Sequence, residues 1–193
     1  MKRIAIFASG TGSNAKKIIE YFQESEDMEI ALIVSNRAKA GVLTIAEEEE
    51  IPSIIIDRAY FYESEQMLFD LKQQCIDFIV LAGFLWLVPK YLINAYPKKI
   101  VNIHPALLPK FGGKGMYGMH VHQAVIDAAE KQSGISIHFV NEAFDEGGII
   151  FQASCAVDSD DTAKDVQAKV QKLEHEHFPH IIEEVIGNTF SQL

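Results

Sequence analysis

Ile30-Ala31-Leu32-Ile33-Val34 is five apolar residues in succession, a pattern that only some sheet architectures can bury. A strand with one face in water alternates apolar and polar residues. A run without alternation, ending at Ser35-Asn36-Arg37, is a strand covered on both faces, as in a parallel sheet with helices above and below it. Ile76-Asp77-Phe78-Ile79-Val80-Leu81 has the same character.

Strands are expected over 4–8, 29–34, 53–56, 78–81 and 100–103. Helices are expected over 14–24, 40–50, 64–74, 91–95 and 122–131. In the helix over 14–24, Ile18, Ile19 and Phe22 share one stripe. Right-handed crossovers bring the C-terminal ends of parallel strands, and the loops leaving them, to one edge where ligands bind. Segments 133–140 and 149–153, either side of Asp145-Glu146-Gly147-Gly148, read as an antiparallel addition. Asp161-Thr162 opens a last long helix that Pro179 is expected to kink or interrupt. The expected fold is α/β and Rossmann-like: a mostly parallel central sheet flanked by helices, with a late antiparallel strand addition, in one domain over 1–193.

Bulk properties narrow the partners. Hydrophobic residues make up 48% of 193, enough for one sizeable core. With 27 acidic and 17 basic side chains, a net charge of -10 and no basic cluster, nucleic acid is not an expected partner. No apolar stretch approaches the ~20 residues of a membrane helix, and the run over 4–8 after Lys2-Arg3 is too short for a signal peptide. Cys75 and Cys155 lie in apolar surroundings and read as buried free thiols of a reducing compartment, so the expected location is cytoplasmic.

Gly10-x-Gly12-x-x-Ala15 matches the loose dinucleotide fingerprint in its strand-then-helix setting. That fingerprint also needs an acid at the end of the second strand, where this chain has Ser35-Asn36-Arg37. A phosphate monoester held by backbone N–H groups of Thr11, Gly12, Ser13 and Asn14 at a helix N-terminus is the simpler reading. A plain turn, with Ser13 or Asn14 capping the helix, is its alternative.

The chemistry concentrates in Asn102-Ile103-His104-Pro105. The period of two in a strand turns Asn102 and His104 to one face, and Pro105 stops the strand just beyond. Gly147 and Gly148 allow a tight path that brings Asp145 toward the same strand-end cleft. An imidazole beside a carboxylate exchanges protons, and a carboxamide donates to an oxyanion without a proton to lose. Ser136 and His138, two apart on a strand, present a hydroxyl and a second imidazole to one side. A metal on His104, His138 and Asp145 is the competing reading. The local pairs His120-x-His122 and His175-x-His177 lack the spacing of a helical zinc site, so no metal is expected.

Ile6-Phe7-Ala8-Ser9-Gly10-Thr11-Gly12-Ser13-Asn14, Leu81-Ala82-Gly83-Phe84-Leu85, Asn102 to Pro109, Ser136 to Val140 and Asp145-x-Gly147 together resemble the folate-dependent formyltransferases, most closely the branch acting on glycinamide ribonucleotide. The resemblance implies direct transfer of a formyl group from 10-formyltetrahydrofolate, as co-substrate, to the primary amine of that ribotide. It implies catalytic roles for Asn102, His104 and Asp145, phosphate binding at Thr11 to Asn14, and ribotide binding by Gln171 and Glu174. It also implies a folate pocket formed by Leu85, Trp86, Leu87, Val88 and Leu107, with the loop Val140, Asn141, Glu142, Ala143, Phe144. Small-molecule substrates, no membrane and a monomer or homodimer go with it.

Three positions depart from the family pattern. Trp86 stands where relatives carry an arginine for the folate tail, a role left to Lys90, Lys110 or Lys114. Ala106 replaces a serine, and 111–119 is a longer glycine-rich connection, either a lid carrying His120 or His122 or a solvent loop. Asn102 and protonated His104 are expected to stabilise the oxyanion, with Asp145 raising the proton affinity of His104. A formyltetrahydrofolate hydrolase is the enzymatic alternative, and a non-catalytic nucleotide-binding module the other.

Overall fold

The computed structural model describes residues 1–190; the last three positions of the expected 1–193 domain lie outside the described residues. Seven strands form one sheet: β1 (Lys2–Phe7), β2 (Met28–Ser35), β3 (Ser53–Ile55), β4 (Phe78–Leu81), β5 (Ile100–His104), β6 (Gln132–Phe139) and β7 (Ile149–Ala156). Their spatial order is β3-β2-β1-β4-β5-β6-β7. The first five pair in parallel, while β5–β6 and β6–β7 are antiparallel. This is the expected mostly parallel, Rossmann-like sheet with its late antiparallel addition.

Among the described residues six α-helices cover it: α1 (Ser13–Phe22), α2 (Gly41–Glu48), α3 (Gln66–Gln73), α4 (Lys90–Ala95), α5 (Met119–Asp127) and α6 (Ala163–Phe190). Strand alternation divides the core in two. Ile4, Ile6, Val80, Val101 and Ile103 face one way, onto Ile18, Phe22, Val125, Val170 and Phe178. Phe7, Leu32, Ile79, Leu81 and Ile100 face the other, onto Phe61, Met67, Leu71 and Leu92. Both layers are apolar, which is why the strands show no alternation in sequence.

The order of strands reverses between β1 and β4. In such sheets the crevice beyond the carboxyl ends at that switch point is the binding site. The loop from Ser9 to Gly12 leaves β1 there, and the segment from Ala82 to Val88 leaves β4 beside it. Ser9 ties the two together, since its N–H donates to the Gly83 carbonyl (3.1 Å), its Oγ donates to Asn36 Oδ1 (2.6 Å), and it accepts from the Leu85 N–H (3.0 Å).

Three expectations need correction. Pro179 does not interrupt α6, because Phe178 and Ile182 are wholly buried beside it and hold the helix line. Cys75 is exposed and Cys155 half-buried; both are free, but neither is a buried core thiol. Cys75 occupies the left-handed turn just after α3 (φ +52°), a position that projects outward whatever its sequence neighbours. Helix α5 begins at Met119, so that His120 and His122 both belong to it. No helix among the described residues is long and apolar enough to cross a membrane.

Candidate active site

Asn102 and His104 share a face of β5 with Ile100, and the antiparallel pairing sets Asn102 opposite His138 and His104 opposite Ser136. Asp145 arrives from the β6–β7 connection in a left-handed conformation (φ +58°), which aspartate tolerates better than most residues. Gly147 makes this approach possible: a Cβ there would lie 1.6 Å from the Phe139 carbonyl oxygen. Gly148 has open space instead.

The four polar side chains close on one another. Asp145 Oδ2 lies 3.4 Å from His104 Nδ1, and Oδ1 lies 3.6 Å from His138 Nε2. Asn102 Nδ2 donates to Asp145 Oδ1 at 3.4 Å. His138 Nδ1–H donates to the Phe139 carbonyl (2.8 Å), so its Nε2 is the acceptor that receives Asn102 Nδ2 at 3.0 Å. His104 Nε2–H donates to the Phe111 carbonyl at 2.8 Å. Asp145 Oδ2 accepts the Gly113 N–H at 2.9 Å. The first part of the 111–119 segment is therefore a wall of the site rather than a solvent loop.

The protonation balance is divided. His104 is 3% exposed, and burial lowers its proton affinity below the ordinary histidine value; Asp145 and the Phe111 carbonyl oppose this, and burial prevails. Asp145 thus raises the proton affinity of His104 as expected, without reversing the effect of burial. Burial alone would push the Asp145 carboxyl up, but the neighbouring His138 imidazole, the charge of His104 and the Gly113 N–H hold it below the usual range. Ser136 is spent elsewhere. Its Oγ donates to the Ala106 carbonyl (2.7 Å) and accepts from Leu108 N–H (2.9 Å) and Gln152 Nε2 (2.7 Å), bracing the turn after His104.

These residues line one end of a cleft of about 840 Å³, within the size range of small-molecule sites. At the other end lie Gly10 to Asn14. Helix α1 starts on Gly12 with no side-chain cap, which leaves its first N–H groups unclaimed by any capping side chain. Gly12 has a φ of +84°, and a Cβ there would meet Val42 and Ile45 within 2.9 Å. Ser13 and Asn14 do not cap the helix but reach α6: Gln171 Nε2 donates to Ser13 Oγ (3.1 Å) and Asn14 Nδ2 to Glu174 Oε2 (3.0 Å). Glu174 opens onto the cleft yet is enclosed by protein elsewhere, and that enclosure pushes its carboxyl up, against the Asn14 hydrogen bond. The Asn14 Oδ1 is buried without a partner.

The third region is aromatic. Trp86, Phe84 and Phe61 pack with ring centroids 5.6–6.3 Å apart, Tyr62 sits 5.8 Å from Trp86, and the Arg58 guanidinium stands 5.3 Å from the Trp86 ring centre. Leu85, Trp86, Leu87 and Phe144 line the main cleft, and Val88, Val140 and Ala143 line a small adjoining recess. Three expected folate residues turn their side chains elsewhere. Leu107 approaches Gly134 of β6, Glu142 pairs with Lys90 (3.0 Å), and Asn141 Oδ1 accepts the Ala143 N–H (3.0 Å). Lys110 is likewise paired, with Glu130 at 2.6 Å, whereas Lys114 lines the cleft. Arg58 and Tyr62 escaped the sequence reading because one precedes and the other lies within a single π-helical turn (Ala59–Glu63) that has no periodic signal. Among the described residues no group of three or more His, Cys, Asp or Glu could hold a metal ion.

The formyl transferase family model matches residues 2–182. The chain is 38% identical over 187 residues to the chloroplastic phosphoribosylglycinamide formyltransferase of Arabidopsis thaliana, covering 94% of this chain and 64% of that protein, less than two thirds of its length. It is 36% identical over 192 residues to phosphoribosylglycinamide formyltransferase of Bacillus subtilis (strain 168), covering 97% and 96% of the two. Among solved structures, phosphoribosylglycinamide formyltransferase from Bacillus Halodurans superposes with a TM-score of 0.87 at 36% identity, over 97% of each chain.

Proposed function

The chain belongs to the formyl transferase family, and from that premise we propose that it transfers the formyl group of 10-formyltetrahydrofolate to the primary amine of 5-phosphoribosylglycinamide. The observation that carries the reading is the union, in one cleft, of a side-chain-uncapped helix N-terminus, a carboxylate on α6 and the Asn102–His104–Asp145 cluster. We read 1–193 as one formyltransferase domain acting on small molecules as a monomer or homodimer.

A dianionic phosphate suits the N–H groups of Thr11 to Asn14, where the helix dipole adds to their attraction. Glu174 accepts from ribose hydroxyls, and the orphaned Asn14 Oδ1 beside it supplies a further acceptor. The amine then points toward His104. The folate brings a formyl group bonded to a nitrogen leaving group, and its planar ring fits between apolar walls at Leu85 to Val88, Val140, Ala143 and Phe144. Main-chain groups of Asn141 and Glu142 serve there in place of their side chains. Arg58, stacked over Trp86, supplies the cation for the folate tail that the family pattern otherwise puts at position 86.

The glycyl amine has a reference pKa of about 8, so an appreciable neutral fraction exists near neutral pH. The harder steps are stabilising charge on the formyl oxygen and moving a proton off the attacking nitrogen. Asn102 Nδ2 has one N–H in a long 3.4 Å contact to Asp145, and that N–H turns to the developing oxyanion. His104 Nε2 already donates to an oxygen, the Phe111 carbonyl, which the substrate oxygen replaces. Asp145 holds the imidazolium form as charge builds up and takes part in the relay that carries the proton from the attacking nitrogen to the folate nitrogen, which leaves as its bond to the formyl carbon breaks. Neither Cys75 nor Cys155 lines the cleft, which favours direct transfer over a thioester.

The test is an absorbance assay for the folate product with and without glycinamide ribonucleotide. Product only with ribotide is expected. Product at the same rate without it would identify a hydrolase, and no product in either case would leave a binding module.

A further inference from the structure

One buried group in the cleft has no role in the chemistry above. His122 is 3% exposed, lies on the inward face of α5 with Val121 and Val125, and lines the main cleft. Its Nδ1 is buried without any hydrogen-bond partner. Two residues earlier, His120 faces outward and meets the Tyr117 ring edge-on. An inward position flanked by valines suits another apolar residue, and an unpaired imidazole nitrogen there is costly unless something binds it.

The location indicates what does. Helix α5 packs on α6, with Val125 in the same core cluster as Val166 and Val170. His122 therefore shares one cleft with Gln171 and Glu174 of α6 and with the imidazole of His104. Under the functional reading above, the ribotide runs along this cleft with its phosphate at Thr11 to Asn14, its ribose at Glu174 and its amine at His104. The polar group between ribose and amine is the carboxamide, which offers both a donor and an acceptor to a neutral imidazole.

We infer that His122 is a substrate-contacting residue that binds the carboxamide of the glycinamide moiety and so aims the amine at the formyl carbon. The inference rests on the ribotide reading. Ribose 5-phosphate, which shares the phosphate and ribose but lacks the carboxamide, separates the two.

Calorimetric titrations of the full chain with each ligand test it, using His122→Leu and His122→Asn, since the asparagine amide occupies the Nδ1 position. His122→Leu should bind glycinamide ribonucleotide about tenfold more weakly, as for one lost hydrogen bond, with ribose 5-phosphate affinity unchanged; His122→Asn should restore most of the loss. Equal weakening of both ligands, no weakening, or an asparagine variant no better than leucine would overturn the inference. If the variants do not fold, ¹⁵N spectra of the wild-type histidine rings decide. The His122 Nδ1 resonance should move with the ribotide and not with ribose 5-phosphate, and a resonance unmoved by the ribotide would overturn the inference. Wild-type chain that binds ribose 5-phosphate but not the ribotide would overturn the functional reading itself, and this inference with it.

Discussion

Asp145 Oδ2 lies 3.4 Å from His104 Nδ1, although His104 ends β5, Asp145 sits in the β6–β7 connection, and all of α5 and β6 lie between them in the chain. The contact is attractive only when that nitrogen carries a proton, so Asp145 works against the burial that favours the neutral ring. Asp145→Asn removes the charge and keeps the shape. The proton affinity of His104 should then fall further, and the alkaline limb of the pH–rate profile should move to lower pH. A limb that stays in place would mean that His104 does not act in its protonated form.

Gly147 and Gly148 are adjacent but unequal. A methyl at Gly147 runs into the Phe139 carbonyl, whereas one at Gly148 meets nothing within 4 Å. Gly147→Ala should cost about 1–3 kcal/mol of stability, lower the melting temperature by several degrees, and reduce turnover by displacing Asp145. Gly148→Ala should leave both nearly unchanged. Thermal melts and steady-state rates of the pair check this, and matching behaviour in the two variants would contradict the steric account.

Trp86 is the sole tryptophan of the sequence and lines the cleft against Arg58 and Tyr62. Its fluorescence should be quenched saturably by an unreactive folate analogue and little by the ribotide. Arg58→Ala should weaken the analogue roughly tenfold if its tail carries the glutamate carboxylate, as for one charge-assisted contact. Quenching by the ribotide alone would put the aromatic region at the wrong end of the cleft.

The architecture was legible because its cause is local. Strands covered on both faces must be apolar throughout, and Ile30 to Val34 says so without knowledge of any partner. Asn102 and His104 were legible for a similar reason, a period of two ending at proline. Asp145 could be proposed from the glycines after it, though only the register of β6 and β7 explains why Gly147 is the one without room for a side chain. Arg58 was not legible as a site residue, and His122 was legible only as a residue that a lid would carry. Their positions depend on a single π-helical turn and on the packing of α5 against α6, neither of which leaves a periodic trace. Ser136 was misleading in another way: its strand phase is right, but its hydroxyl is consumed by Ala106, Leu108 and Gln152.

The central claim is that Asn102, His104 and Asp145 act together on one transferable formyl group, apart from the machinery that holds the ribotide. The most direct measurement is kcat for His104→Ala alongside its calorimetric Kd for glycinamide ribonucleotide. Loss of one well-aimed oxyanion donor costs about 3 kcal/mol, roughly a hundredfold in rate, so kcat should fall at least that far while Kd stays within about threefold. Turnover within tenfold of the parent, with binding intact, would contradict it.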